Sequence, residues 1–92
     1  MGETPAHVSH DPVAKRLKRA HGHLQNVITM LSEDRACLDV AQQLHAVERA
    51  IAAAKKQLIH DHIDHCLDQS LGTPAGASRR ALGEFKAITK YL

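Results

Sequence analysis

Ninety-two residues suffice for one small domain, whose core is marginal without a partner copy. With one Phe, one Tyr and no Trp, any core must be built from Leu, Ile, Val and Ala, which suits helices. The net charge of +2 argues against a uniformly basic surface, so contact with an anionic partner would have to come from a local cluster. No apolar run approaches the roughly 20 residues of a membrane span. The N-terminus shows no charged-then-apolar leader, so no membrane partner and a cytoplasmic location are expected.

Residues 1–10 (MGETPAHVSH) are small and polar and contain Pro5, predicting a flexible arm that carries His7 and His10. Asp11-Pro12 reads as a helix start, with Asp capping and Pro in the first turn. Apolar residues recur at Val13, Leu17, Ala20, Leu24, Val27/Ile28 and Leu31, predicting a first helix over 12–31. Lys15, Arg16, Lys18 and Arg19 flank this stripe and point away from it. Gly22 would permit a second helix to approach closely.

Ser32-Glu33-Asp34 predicts a short connector, with Asp34 or Ser32 capping the next helix. So few residues make the two helices antiparallel neighbours. The stretch 35–69 has no Gly or Pro and carries two seams at heptad spacing. Cys37, Leu44, Ile51, Leu58 and His65 form one; Val40/Ala41, Val47, Ala54 and His62 (or Asp61) form the other. Leu71-Gly72-Thr73-Pro74 predicts a stop. A short third helix is then expected over 77–91, capped by Ser78, with Ala81, Phe85 and Ile88 on one face. Four bases (Arg79, Arg80, Lys86, Lys90) and one acid (Glu84) follow Leu71. The fold class expected is all-α, three helices in a single domain over 11–92.

His62 and Cys66 are four apart and share a helix face within reach of one metal ion. Cys37 lies 25 residues earlier on the same helix, about 37 Å away along the axis. One copy cannot unite the three. Two antiparallel copies can, placing Cys37 of one beside His62 and Cys66 of the other, twice by symmetry. Two thiolates and one imidazole suit Cu(I), or with a fourth donor Zn(II) or Ni(II). His7, His10, His60 and His65 are the candidate extra donors. The competing reading is two inert thiols packed as small hydrophobes. An intrachain disulfide is excluded by the helix length. No nucleophile–base–orienter set is visible, so an enzyme is not expected.

The runs RLKRAHGHL (16–24), DVAQQLHAVERAI (39–51) and DHIDHC (61–66), with Cys37 between the first two, resemble the CsoR/RcnR/FrmR repressors. The resemblance covers about residues 12–70 and keeps the spacing Cys–x24–His–x3–Cys at Cys37, His62 and Cys66. It implies a DNA-binding repressor whose antiparallel dimers pair into tetramers. It also implies derepression of a metal efflux or resistance operon when an effector binds between subunits. Cys-His-Cys is typical of copper sensors and of some nickel sensors. The expected effector is Cu(I), with Ni(II)/Co(II) as the alternative and Zn(II) behind them. Two positions depart from the copper pattern. Ala36 stands where Tyr is common, and Leu82 falls where a helix-3 Glu couples metal to DNA, with Glu84 the nearest acid. Operator DNA would be held by Lys15, Arg16, Lys18 and Arg19, with Arg49 adding to that face. The rival class is a metal-binding helical protein with no DNA role.

Overall fold

The computed structural model describes residues 10–71 and 75–92, with the side chains of 10–65, 79–80 and 82–92. Its elements are α1 (His10–Ser32), α2 (Cys37–Leu71) and α3 (Ala75–Ile88), closed by a 3-10 turn over Thr89–Tyr91. The expected all-α architecture is what forms. Every helix starts or stops a few residues from its expected position, for local reasons.

Helix α1 begins at His10, so His10 stands on the helix rather than in an arm, and Asp11 lies in the first turn. A carboxylate there favours the positive end of the helix dipole. Pro12 is tolerated because the first-turn N–H groups have no intrahelical acceptors. His7 and the rest of residues 1–9 lie outside the described residues, as does the Gly72-Thr73-Pro74 stop. Helix α3 begins at Ala75, so Ser78 sits inside it rather than capping it.

The connector also differs from expectation. Arg35 N–H donates to Met30 O at 3.0 Å and Asp34 N–H to Leu31 O at 3.2 Å, while Asp34 takes φ 60°. That pattern is a Schellman motif with Asp34 in the left-handed position. Asp34 therefore closes α1 instead of capping α2. Ser32 Oγ donates back to Thr29 O at 2.8 Å, within α1. The first α2 bond runs from Val40 N–H to Ala36 O, which makes Ala36 the N-cap and Cys37 the first helical residue.

The two long helices pack antiparallel. Val27 of α1 clusters with Val40 and Val47 of α2, flanked by Leu24 and Met30. Val13, Ala20 and Val27 of α1 are buried, as are Val40, Val47, Ala54 and Ile59 of α2. Val13, Ala20 and Val27, and opposite them Val40, Val47 and Ala54, repeat at seven residues and are built of small side chains, which lets two helices approach closely; Ile59 falls outside that repeat. His23 and Gln43 bridge the pair at 2.7 Å, the ring N–H donating to the amide oxygen. Gly22 does not serve a close crossing within the chain, since a Cβ there would meet nothing within 4 Å.

The other seam of α2 points outward: Leu44, Ile51 and Leu58 are 48, 44 and 36% exposed. The molecule measures 59 × 31 × 13 Å, and an α-helix with side chains is about 10–12 Å across. The three helices thus form one layer, without a second layer to cover it. The radius of gyration is 18.1 Å, against about 12 Å for a compact chain of this length.

Candidate metal and DNA-binding site

Helix α2 is continuous from Cys37 to Leu71, so it separates the candidate ligands as the spacing requires. Cys37 opens the helix and is exposed. His62 is half-buried near the far end, and Cys66 follows one turn later on the same helix. The side chain of Cys66 lies outside the described residues. About 37 Å of helix rise keeps Cys37 from the other two within one chain. No group of three or more metal-ligating side chains occurs among the described residues.

Helix α3 packs on the distal part of α2 and brings an acid to His62. Glu84 Oε2 lies 3.5 Å from His62 Nε2. Leu82, at the position where alignment alone points, is 53% exposed and offers no polar atom. Glu84, the one acid of the segment after Leu71, is therefore the residue that meets the candidate ligand. Metal-bound imidazoles characteristically hold a carboxylate with their second ring nitrogen, which fixes the ring. The donor chemistry suits a soft or borderline metal ion: thiolates and an imidazole, with a carboxylate supporting the imidazole.

The remaining candidate donors are dispersed. His60 is exposed, and His65, half-buried, stands three residues past His62 on α2. His10 is exposed at the opening of α1.

Lys15, Arg16, Lys18 and Arg19 are all exposed, and no ion pair involves them among the described residues. Arg16 and Arg19 line a shallow groove of about 200 Å³ with Ala20, His23 and Ala50. Arg49 is exposed on α2, next in sequence to that groove's Ala50. The His23–Gln43 bridge lies beside the same groove and ties it to the α1–α2 packing, a link that periodicity did not single out. No helix among the described residues is long and apolar enough to cross a membrane.

Comparison with known proteins places the chain in a family. A family profile described as "Metal-sensitive transcriptional repressor" matches residues 9–91. The copper-sensing transcriptional repressor CsoR of Mycobacterium ulcerans is 36% identical over 76 residues, 83% of this chain and 63% of that protein. The chain thus spans less than two thirds of that relative's length. RicR of Mycobacterium tuberculosis, named a copper-sensing transcriptional repressor, is 31% identical over 82 residues, 89% of this chain and 85% of its own. The copper-sensing repressor CsoR of Bacillus subtilis is 33% identical over 82 residues, 87% and 81%. No solved structure matches the chain significantly. A profile match running from the start of α1 to the 3-10 turn, with three such relatives, shows that the chain belongs to the metal-sensitive transcriptional repressors.

Proposed function

We propose that the protein represses a metal efflux or resistance operon and releases its operator when Cu(I) binds between subunits. The observation that carries this reading is the unbroken helix Cys37–Leu71. It holds one thiol about 37 Å from the His62–Cys66 pair, so that only an antiparallel second copy can complete the donor set. The curated relatives cited above, all named copper-sensing, favour Cu(I) over Ni(II)/Co(II) and Zn(II).

In this reading Cys37 of one protomer and His62 with Cys66 of its partner hold the ion, and symmetry makes two such sites per dimer. The soft ion supplies strong bonds to thiolates, and hence a tie across the dimer. Leu44, Ile51 and Leu58 lie along the α2 face that the antiparallel copy would cover. Two dimers then pair into a tetramer. Lys15, Arg16, Lys18 and Arg19, with Arg49, neutralise DNA phosphates in the metal-free state. Glu84 holds His62 at its second ring nitrogen, so a change in the ring's position is passed to α3.

The test is anaerobic. Operator binding to the region upstream of the protein's own gene is followed by fluorescence anisotropy while Cu(I) or Ni(II) is added. The expected result is tight binding without metal and release at about one Cu(I) per chain, without visible absorption bands. Strong thiolate charge-transfer bands and release with Ni(II) alone would replace copper by nickel. Metal binding without any DNA binding would leave a metal-binding helical protein.

A further inference from the structure

The α1 block and the Cys/His set do not account for the basic residues of α3. Arg79 and Lys86 are seven apart and, at 100° per residue, lie within about 20° of each other around the helix. Lys90 follows one turn later in the 3-10 segment. All three are exposed. The half-buried residues Phe85 and Ile88 lie about 120° and 180° around the helix from Arg79. Glu84 is about 140° from Arg79 and is engaged at His62. Among the described residues no acid pairs with Arg79, Lys86 or Lys90.

The charge distribution departs from that of an ordinary solvated face. Exposed helix faces that serve only solubility usually mix signs. Here α2 carries five acids and three bases, while the segment after Leu71 carries four bases and one acid. The acid of that segment is turned from the stripe. Arg79 to Lys90 covers about 17 Å, the axial rise of about five base pairs.

We propose that the Arg79–Lys86–Lys90 stripe is a second phosphate-binding surface, contacting DNA beyond the segment held by α1. This rests on the repressor reading. The stripe then shares α3 and its closing turn with Glu84, the acid that meets His62 of α2. Glu84 reads His62 on one side of α3, and the stripe grips phosphates on the other. A shift of α3 on metal binding would withdraw three cationic side chains per chain at once.

The test compares the full-length wild type with the triple variant Arg79→Ala/Lys86→Ala/Lys90→Ala. Two labelled duplexes serve as probes, the upstream region and a random sequence of the same length, across a salt series. Alanine preserves helix propensity, and circular dichroism with a Cu(I) titration checks that fold and metal uptake are intact. The expected result is a salt slope shallower by about 0.9 for each phosphate no longer neutralised, and roughly tenfold or more weaker binding near physiological salt, on both duplexes. The charge-preserving variant Arg79→Lys/Lys86→Arg/Lys90→Arg should restore the slope. An unchanged slope in the alanine variant would overturn the inference while leaving the repressor reading in place. A loss confined to the operator duplex would overturn the phosphate assignment. A wild type that binds neither duplex would overturn the repressor reading, and this inference with it.

Discussion

Glu84 shows how much rides on a side chain's position around a short helix. Counting along the chain points to Leu82, two residues away, but two residues on a helix are about 200° apart. Leu82 is exposed, whereas Glu84 reaches His62. Removing the carboxylate's charge while keeping its shape separates metal capture from its consequence. Glu84→Gln should still take up Cu(I), with affinity reduced at most about 10–100-fold as for other supporting residues. Its DNA release at saturating metal should be blunted, losing most of a coupling typically worth about 1–3 kcal/mol. Paired titrations of metal and of operator DNA check this, and full release by the metal-saturated variant would remove Glu84 from the path. Asp34 makes a second point at this scale. A left-handed residue usually calls for Gly or Asn, and no glycine marks the turn. The connector's true role, closing α1 rather than opening α2, was therefore legible only in the backbone.

At the level of elements, α2 has two apolar seams that look equivalent in sequence and are used differently. The Val40–Val47–Ala54 seam packs on α1, whose Val13–Ala20–Val27 row matches it in period and size. The Leu44–Ile51–Leu58 seam stays exposed and is the face that the proposed second copy would cover. Burying these half-exposed side chains is worth roughly 1 kcal/mol each in each protomer, while a charge in their midst would be costly. Ile51→Glu should therefore shift the protein from dimer or tetramer to monomer at micromolar concentration, by sedimentation velocity. An unchanged mass would place the interface elsewhere. The surface helps explain why a chain with a radius of gyration of 18.1 Å is not compact by itself. A single layer of helices has too little interior, and in the proposed dimer a second copy would supply the other layer.

For the whole molecule, the proposed sensing is a property of the relation between copies. In that reading the metal site needs two chains, and the DNA face needs the same chains in register. If metal weakens DNA binding by some factor, DNA must weaken metal binding by the same factor. Cys37→Ala should break this link from the metal side alone. Cys37 opens α2 on an exposed position away from Lys15–Arg19, so the variant should bind the operator with wild-type affinity and salt dependence. It should remain bound when Cu(I) is added. Anisotropy titration measures both, and loss of DNA binding in a folded Cys37→Ala protein would overturn the separation of sensing from gripping.

Much of this was written in residue types and spacing. Three helices, the spacing of Cys37 from His62 and Cys66, and the basic block at Lys15–Arg19 follow from local rules: periodicity of apolar residues, breakers at the ends, and a fixed rise per residue. These survive any tertiary context because they depend on neighbours within a few positions. What only the tertiary structure decided is how faces are assigned. Which seam of α2 meets α1 depends on the rotation imposed by the left-handed turn at Asp34 and on the close fit of small side chains. Which acid meets His62 depends on how α3 is rolled against α2. Periodicity says that a helix has a face, but the direction of that face is set by what the chain brings back to cover it.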